Sequence, residues 1–174
     1  MSLDLGLFLL RLVIGSLLFA HGAQKLFGWF GGPGLAGTVG MFGGYLRLRP
    51  ARLWAILGGL SELGGGLLLA AGLFGPLGAA AVMAAMLMAL TVHWPSFWAQ
   101  DRGIEYPLTL LVVALALAVT GPGSLSLDAV LGLQLSEPLT LVVSLTGVLV
   151  GVGLALGTRA PADAPATQEP AAAS

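Results

Sequence analysis

Arg11, His21, Lys25, Glu62, His93, Glu105 and Tyr106 are the side chains here that can do chemistry, and each lies within or at the edge of a long apolar stretch. Hydrocarbon does not solvate a charge, so each must be satisfied by another side chain, by water or by a ligand. Arg11, His21 and Lys25 share with Leu18 and Gly22 one helical arc of about 100°, a face that must turn away from lipid. At ~1.5 Å per residue from the outer boundary, Arg11 is about 12 Å deep, Glu62 about 20 Å, and His93 and His21 about 25–27 Å. An arginine side chain bridges the first gap. The expectation is therefore an intramembrane Arg11–Glu62 ion pair, with His21 as the competing partner for Glu62.

A second group collects at the inner boundary: His21, Gln24, Lys25, His93, Trp94, Trp98, Glu105 and Tyr106, drawn from four segments. Two helical histidines at one depth fit a b-type haem held across a bundle, or a divalent metal shared with Glu62 or Glu105. A quinone fits as well, its carbonyls taking a proton donor from His or Tyr and its ring lying on Trp or Phe. Plainer roles compete with these. Trp29 and Trp54 read as an interfacial aromatic belt, Glu105 as an acid at a helix N-terminus, and both histidines as simple hydrogen-bonding groups. Asp128 reads as a loop or helix-cap acid on the outer face, away from any chemistry. The sequence contains no cysteine, which excludes disulfides, thiolate nucleophiles, Cys-ligated zinc and iron–sulfur clusters.

The elements that position these groups follow from composition. Of 174 residues, 57% are hydrophobic and 9% charged, against about 25% charged for a soluble domain. Apolar runs at 3–27, 53–74, 77–94, 106–120 and 139–157 approach the roughly 20 residues of a membrane helix. One polytopic domain, 1–158, accounts for nearly the whole chain. The first run is too long for a signal-peptide core and carries Arg11 in its middle, so it is expected to stay in the mature protein. Lys25, Arg47, Arg49, Arg52, Arg102 and Arg159 all fall on one side of the alternating spans, which predicts N-terminus outside and C-terminus inside. Net charge of −1 gives no nucleic-acid footprint.

The connections carry further signals. Gly75-Pro76 permits only a tight hairpin. The stretch 35–46, behind Gly31-Gly32-Pro33-Gly34, reads as a short interfacial or re-entrant helix. Residues 121–138 read as an outer loop with an amphipathic piece at 125–135, and 159–174 as a disordered Ala/Pro-rich tail. Gly58, Gly59, Gly65 and Gly66 around Glu62, and Gly147-x-x-x-Gly151 and Gly153-x-x-x-Gly157, read as faces for close helix approach.

In order, the motifs are Arg11…Gly15…Phe19-Ala20-His21-Gly22…Lys25-Leu26-Phe27-Gly28, then Gly31-Gly32…Gly34 and Glu62…Gly65-Gly66…Gly72. Gly103…Glu105-Tyr106-Pro107 and Gly121-Pro122-Gly123…Ser126-Leu127-Asp128 follow. Together they resemble the DoxX family over about residues 3–132. The resemblance implies a compact four-helix bundle in a bacterial or archaeal cytoplasmic membrane, so the last run adds a fifth transmembrane helix. Its relatives include the membrane subunit of thiosulfate:quinone oxidoreductase, and others work with sulfurtransferase and superoxide dismutase partners. The resemblance thus implies a membrane subunit of a redox or oxidative-stress system; with the inner-boundary residues, it leads to the expectation of a quinone-like or other apolar ligand near the cytoplasmic boundary. A soluble redox partner and a homo-oligomer are the partners considered beside the bilayer. Arg11, His21, Lys25, Glu62 and Glu105 match the motifs, and His93, Trp98 and Tyr106 complete the candidate set. The alternatives are a non-catalytic scaffold and a small-molecule or lipid transporter.

Overall fold

The chain, as a computed structural model, is described at residues 2–133 and 136–161. Its long helices are α1 (Ser2–Phe27), α3 (Ala51–Ala71), α4 (Gly75–His93), α5 (Glu105–Thr120) and α7 (Glu137–Gly157); α2 (Gly34–Gly40) and α6 (Leu127–Leu131) are short. Four of them, α1, α3, α4 and α7, are long and apolar enough to cross a bilayer, whereas α5 is a shorter apolar helix of 16 residues. At ~1.5 Å per residue, α5 covers about 24 Å. The protein is an all-α membrane protein. The expected fourth span is its short member, and the expected fifth helix is full length and packs within the bundle, against α4 and α5.

Leucine gains nothing by leaving lipid for another leucine, so close packing falls to small residues. A Cβ on Gly15 would lie 2.5 Å from the Gly66 carbonyl oxygen, and one on Gly22 would run into the backbone of Leu63. These contacts fix the antiparallel register of α1 against α3. Gly65 and Gly78 bring α3 against α4, and Gly147 rests on Ala80 where α4 meets α7. The shared core is correspondingly rich in alanine: Ala79, Ala80, Ala114 and Ala118 around Leu18, Val82, Met83 and Leu110. Leucines of α1 and α7 stay on the outside, among them Leu5, Leu9, Leu149 and Leu154.

The two ends differ. At the end where α1 begins, α3 stops at Gly72, which has left-handed φ 63° and the close approach that only glycine permits. Asp128 is buried there and accepts from the backbone N–H of Phe74 (2.8 Å) and Gly75 (2.9 Å) at the start of α4. It acts as the expected capping acid, across a 53-residue sequence gap. At the opposite end, α2 continues through a wider π-type turn, Met41–Tyr45, so the short helix expected over 35–46 is present. Thr38 anchors this segment by donating its hydroxyl to the Lys25 carbonyl at 3.0 Å. The chain after α7 pairs with the following connection. Leu48 and Arg159 form an antiparallel bridge, Arg49 N donates to Thr158 O, and Ala160 N donates to Arg47 O. The tail expected to be disordered from 159 therefore begins with bonded backbone; its residues from 162 on lie outside the described residues, as do 134–135 of the expected 125–135 piece.

Candidate functional site

Glu62 pairs with Lys25. The expected Arg11–Glu62 pair does not form, and the reason is the direction in which side chains leave a helix. Each Cα–Cβ bond tilts toward its helix's N-terminus. In antiparallel α1 and α3, Arg11 thus leans outward and Glu62 inward, away from each other, whereas Lys25 leans back toward Glu62. The Gly15–Gly66 and Gly22–Leu63 contacts put Glu62 level with residues near His21, about ten residues or 15 Å from Arg11 along the axis. Arg11, 1% exposed, instead donates to backbone carbonyls at the other end: Leu125 at 2.7 Å, Ala70 at 3.3 Å and Leu69 at 3.4 Å.

Beside the Lys25–Glu62 pair lies a cavity of about 380 Å³, bounded by the segment after α2, α3, α4 and α7. Small residues make its room: Gly58, Ala84, Ala85, Ala89, Gly151 and Ala155. Phe42, Trp54 and Met88 present the large surfaces, and the polar exceptions are Lys25, Ser61, Glu62 and His93. Glu62 is 4% exposed, and its Oε2 has no hydrogen-bond partner. His93 closes the far side, its Nδ1 against the Arg102 carbonyl oxygen. Tyr45 donates its hydroxyl to Val92 O at 2.9 Å, tying the segment after α2 to α4 at the cavity wall. The Trp54 indole N–H is engaged by Arg49 O at 3.3 Å.

The inner-boundary group thus divides. Its Lys25 and His93 line the cavity together with Glu62; His21 and Tyr106 do not. His21 is exposed, with Nε2 3.3 Å from the Tyr106 hydroxyl and Nδ1 3.1 Å from Gln24 Oε1, on the side of α1 that meets α5. A lysine stem is long enough to curl back over Glu62, and an imidazole is not. The two histidines accordingly share no pocket, and the haem geometry expected from their common depth is absent. Among the described residues, no three His, Asp or Glu side chains gather to hold a metal. Trp98 is 58% exposed in the connection after α4, and Glu105 accepts from Ala99 N at 2.9 Å, holding the turn that precedes α5. Trp54, read as belt, is instead a wall of the cavity. Sequence reasoning missed Phe42, Trp54, Ser61 and Met88; the alanine-rich inner half of α4 opposite Gly58 was the available signal.

Curated proteins and solved structures yield no match to this chain. A family model described as DoxX matches residues 6–94, a stretch containing Arg11, Lys25, Glu62 and most of the cavity wall. The chain belongs to the DoxX family and is an integral membrane protein of that type.

Proposed function

We propose that this protein receives a quinone-like apolar ligand in the cavity beside Lys25 and Glu62, as the membrane part of a redox system. The observation that carries the reading is a cavity of about 380 Å³ with almost wholly apolar walls and one buried charged pair. Ligand pockets of about 300–1,000 Å³ with apolar walls and a few fixed polar groups are the common form of a small-molecule site. Phe42 and Trp54 suit a flat ring, Met88 adapts to its outline, and the Lys25 ammonium is the donor for a ring oxygen. The six Lys/Arg other than Arg11 lie at the cavity's end of the bundle, which supports a cytoplasmic position for the cavity and both the N-out and C-in assignments.

The test is saturable quenching of Trp54 fluorescence by a short-chain benzoquinone in the purified full-length protein, together with quinone analysis of its lipid extract. Ala89→Phe, which fills the cavity, should abolish quenching, while Gly64→Ala, whose new methyl meets open space, should not. Absence of both saturable binding and co-purified quinone sinks the proposal.

A further inference from the structure

Resting on that reading, we infer that the cavity opens sideways into the bilayer through a gap between α3 and α7. Its ligand is then a membrane-resident molecule whose hydrocarbon chain stays in that gap and in the lipid beyond it. Around α3, successive faces meet different neighbours. Gly59, Glu62 and Gly66 share the face toward α1, and Gly65, against Ala81, faces α4. The next stripe, Trp54 and Ser61, lines the cavity, and Leu57 follows it around the helix. Leu57 belongs to both sides: it lines the cavity and is 41% exposed, at the edge of the exposed row Leu53, Leu60 and Leu67.

Of the long helices, only α1 and α4 pack closely on α3, so this side of the cavity has no helical wall. Across the gap, α7 supplies only Gly151, Val152 and Ala155, whose small side chains leave it unfilled. Leu57 stands about 9 Å along α3 from Ala51, which puts the gap at the depth of acyl chains. The arginine-rich end is different. Leu46 and Leu48 are buried in the cavity wall there, held by the Leu48–Arg159 bridge. A hydrocarbon chain gains nothing by leaving lipid for a leucine-lined surface. The ring therefore carries the binding, beside Lys25, and the chain only has to be let out. Affinity expressed as mole fraction in lipid should vary by no more than about threefold with chain length.

The experiment uses the full chain in nanodiscs and a benzoquinone bearing a photoreactive diazirine on its alkyl chain, a few carbons from the ring. Irradiation and peptide mapping should mark 57–64 of α3 and 149–153 of α7, and excess decyl-benzoquinone should remove the label. Displaceable label on 45–50, 94–104 or 158–161 instead overturns the inference and leaves the quinone site standing. Absence of any label that decyl-benzoquinone displaces removes the site itself. Methyl-, pentyl- and decyl-substituted benzoquinones, titrated by mole fraction in the same nanodiscs, give the second readout. Affinities within about threefold of one another support the open side. A loss of tenfold or more as the chain lengthens marks a pocket closed to lipid and overturns it.

Discussion

The Lys25–Glu62 pair is asymmetric in its access to water, and that asymmetry predicts which half matters more for stability. Lys25 keeps 25% of its side chain exposed, whereas Glu62 keeps 5%. Removing the lysine strands a carboxylate; removing the glutamate leaves an ammonium on a flexible stem that can reach water. Lys25→Met should cost about 3–5 kcal/mol, the range for breaking a buried pair, and Glu62→Leu a smaller amount, on the order of 1–2 kcal/mol. The double variant should recover most of the larger loss, since well-packed apolar residues often replace a buried pair at no cost. Reversible unfolding in mixed micelles measures all three, and Glu62→Leu proving the more damaging would overturn the assignment. The identity of the charged residues was legible in the sequence, because charges in apolar runs demand partners. Their pairing was not. Depth counted from assumed span boundaries brought Arg11 within reach of Glu62; the register of α1 against α3 holds them about ten residues apart, and the tilt of Cβ along each helix widens the gap.

At the scale of elements, register decides the site, and glycine decides the register. Gly15, Gly22 and Gly66 let α1 and α3 approach until side-chain carbons meet backbone. Gly22→Ala drives a methyl into Leu63 and must spread the two helices, moving Lys25 away from Glu62. Overpacking of this kind typically costs about 1–3 kcal/mol. Gly64, on the same helix as Gly66, has open space where its Cβ would stand. Gly64→Ala should therefore be neutral or stabilising, by up to about 1 kcal/mol from helix propensity alone. Thermal unfolding of the two variants separates a packing seam from a general effect of glycine content, and similar losses in both would defeat the register argument. Much of this level was visible in the sequence: helices on all five apolar runs, the Gly75-Pro76 hairpin and the short helix after the first run all stand. The cavity was not, because it is formed by what four segments, one of them at the far end of the chain, fail to fill. Trp54 alone looks like any boundary tryptophan until Phe42 lies across Gly58 beside it.

For the molecule as a whole, the connection between Tyr45 and Ala51 and the end of α7 behave as one body. The Leu48–Arg159 bridge, the bonds of Thr158 and Ala160, and a 3.0 Å bond from Arg159 Nε to Leu46 O tie them together. Leu46, Leu48 and Ala155 also wall the cavity. Ending the chain at Gly157 should therefore weaken benzoquinone binding several-fold, whereas ending it at Pro161 should leave binding unchanged. The same clasp bears on orientation. From sequence alone the last span was the least secure vote, since losing it would move the tail without moving any other loop. Bonded to the segment that carries Arg47 and Arg49, the end of α7 cannot occupy the opposite face from those arginines. The whole positive end then takes one side of the membrane, which is the cytoplasmic side in the orientation proposed above from the Lys/Arg bias. The absence of native cysteine makes the check direct. Gln100→Cys sits in the connection between α4 and α5 at the positive end, and Ser124→Cys in the loop at the other; both positions are exposed. A membrane-impermeant maleimide applied to intact cells should label Ser124→Cys and reach Gln100→Cys only after permeabilisation. The reverse pattern would invert the bundle and place the cavity at the outer face.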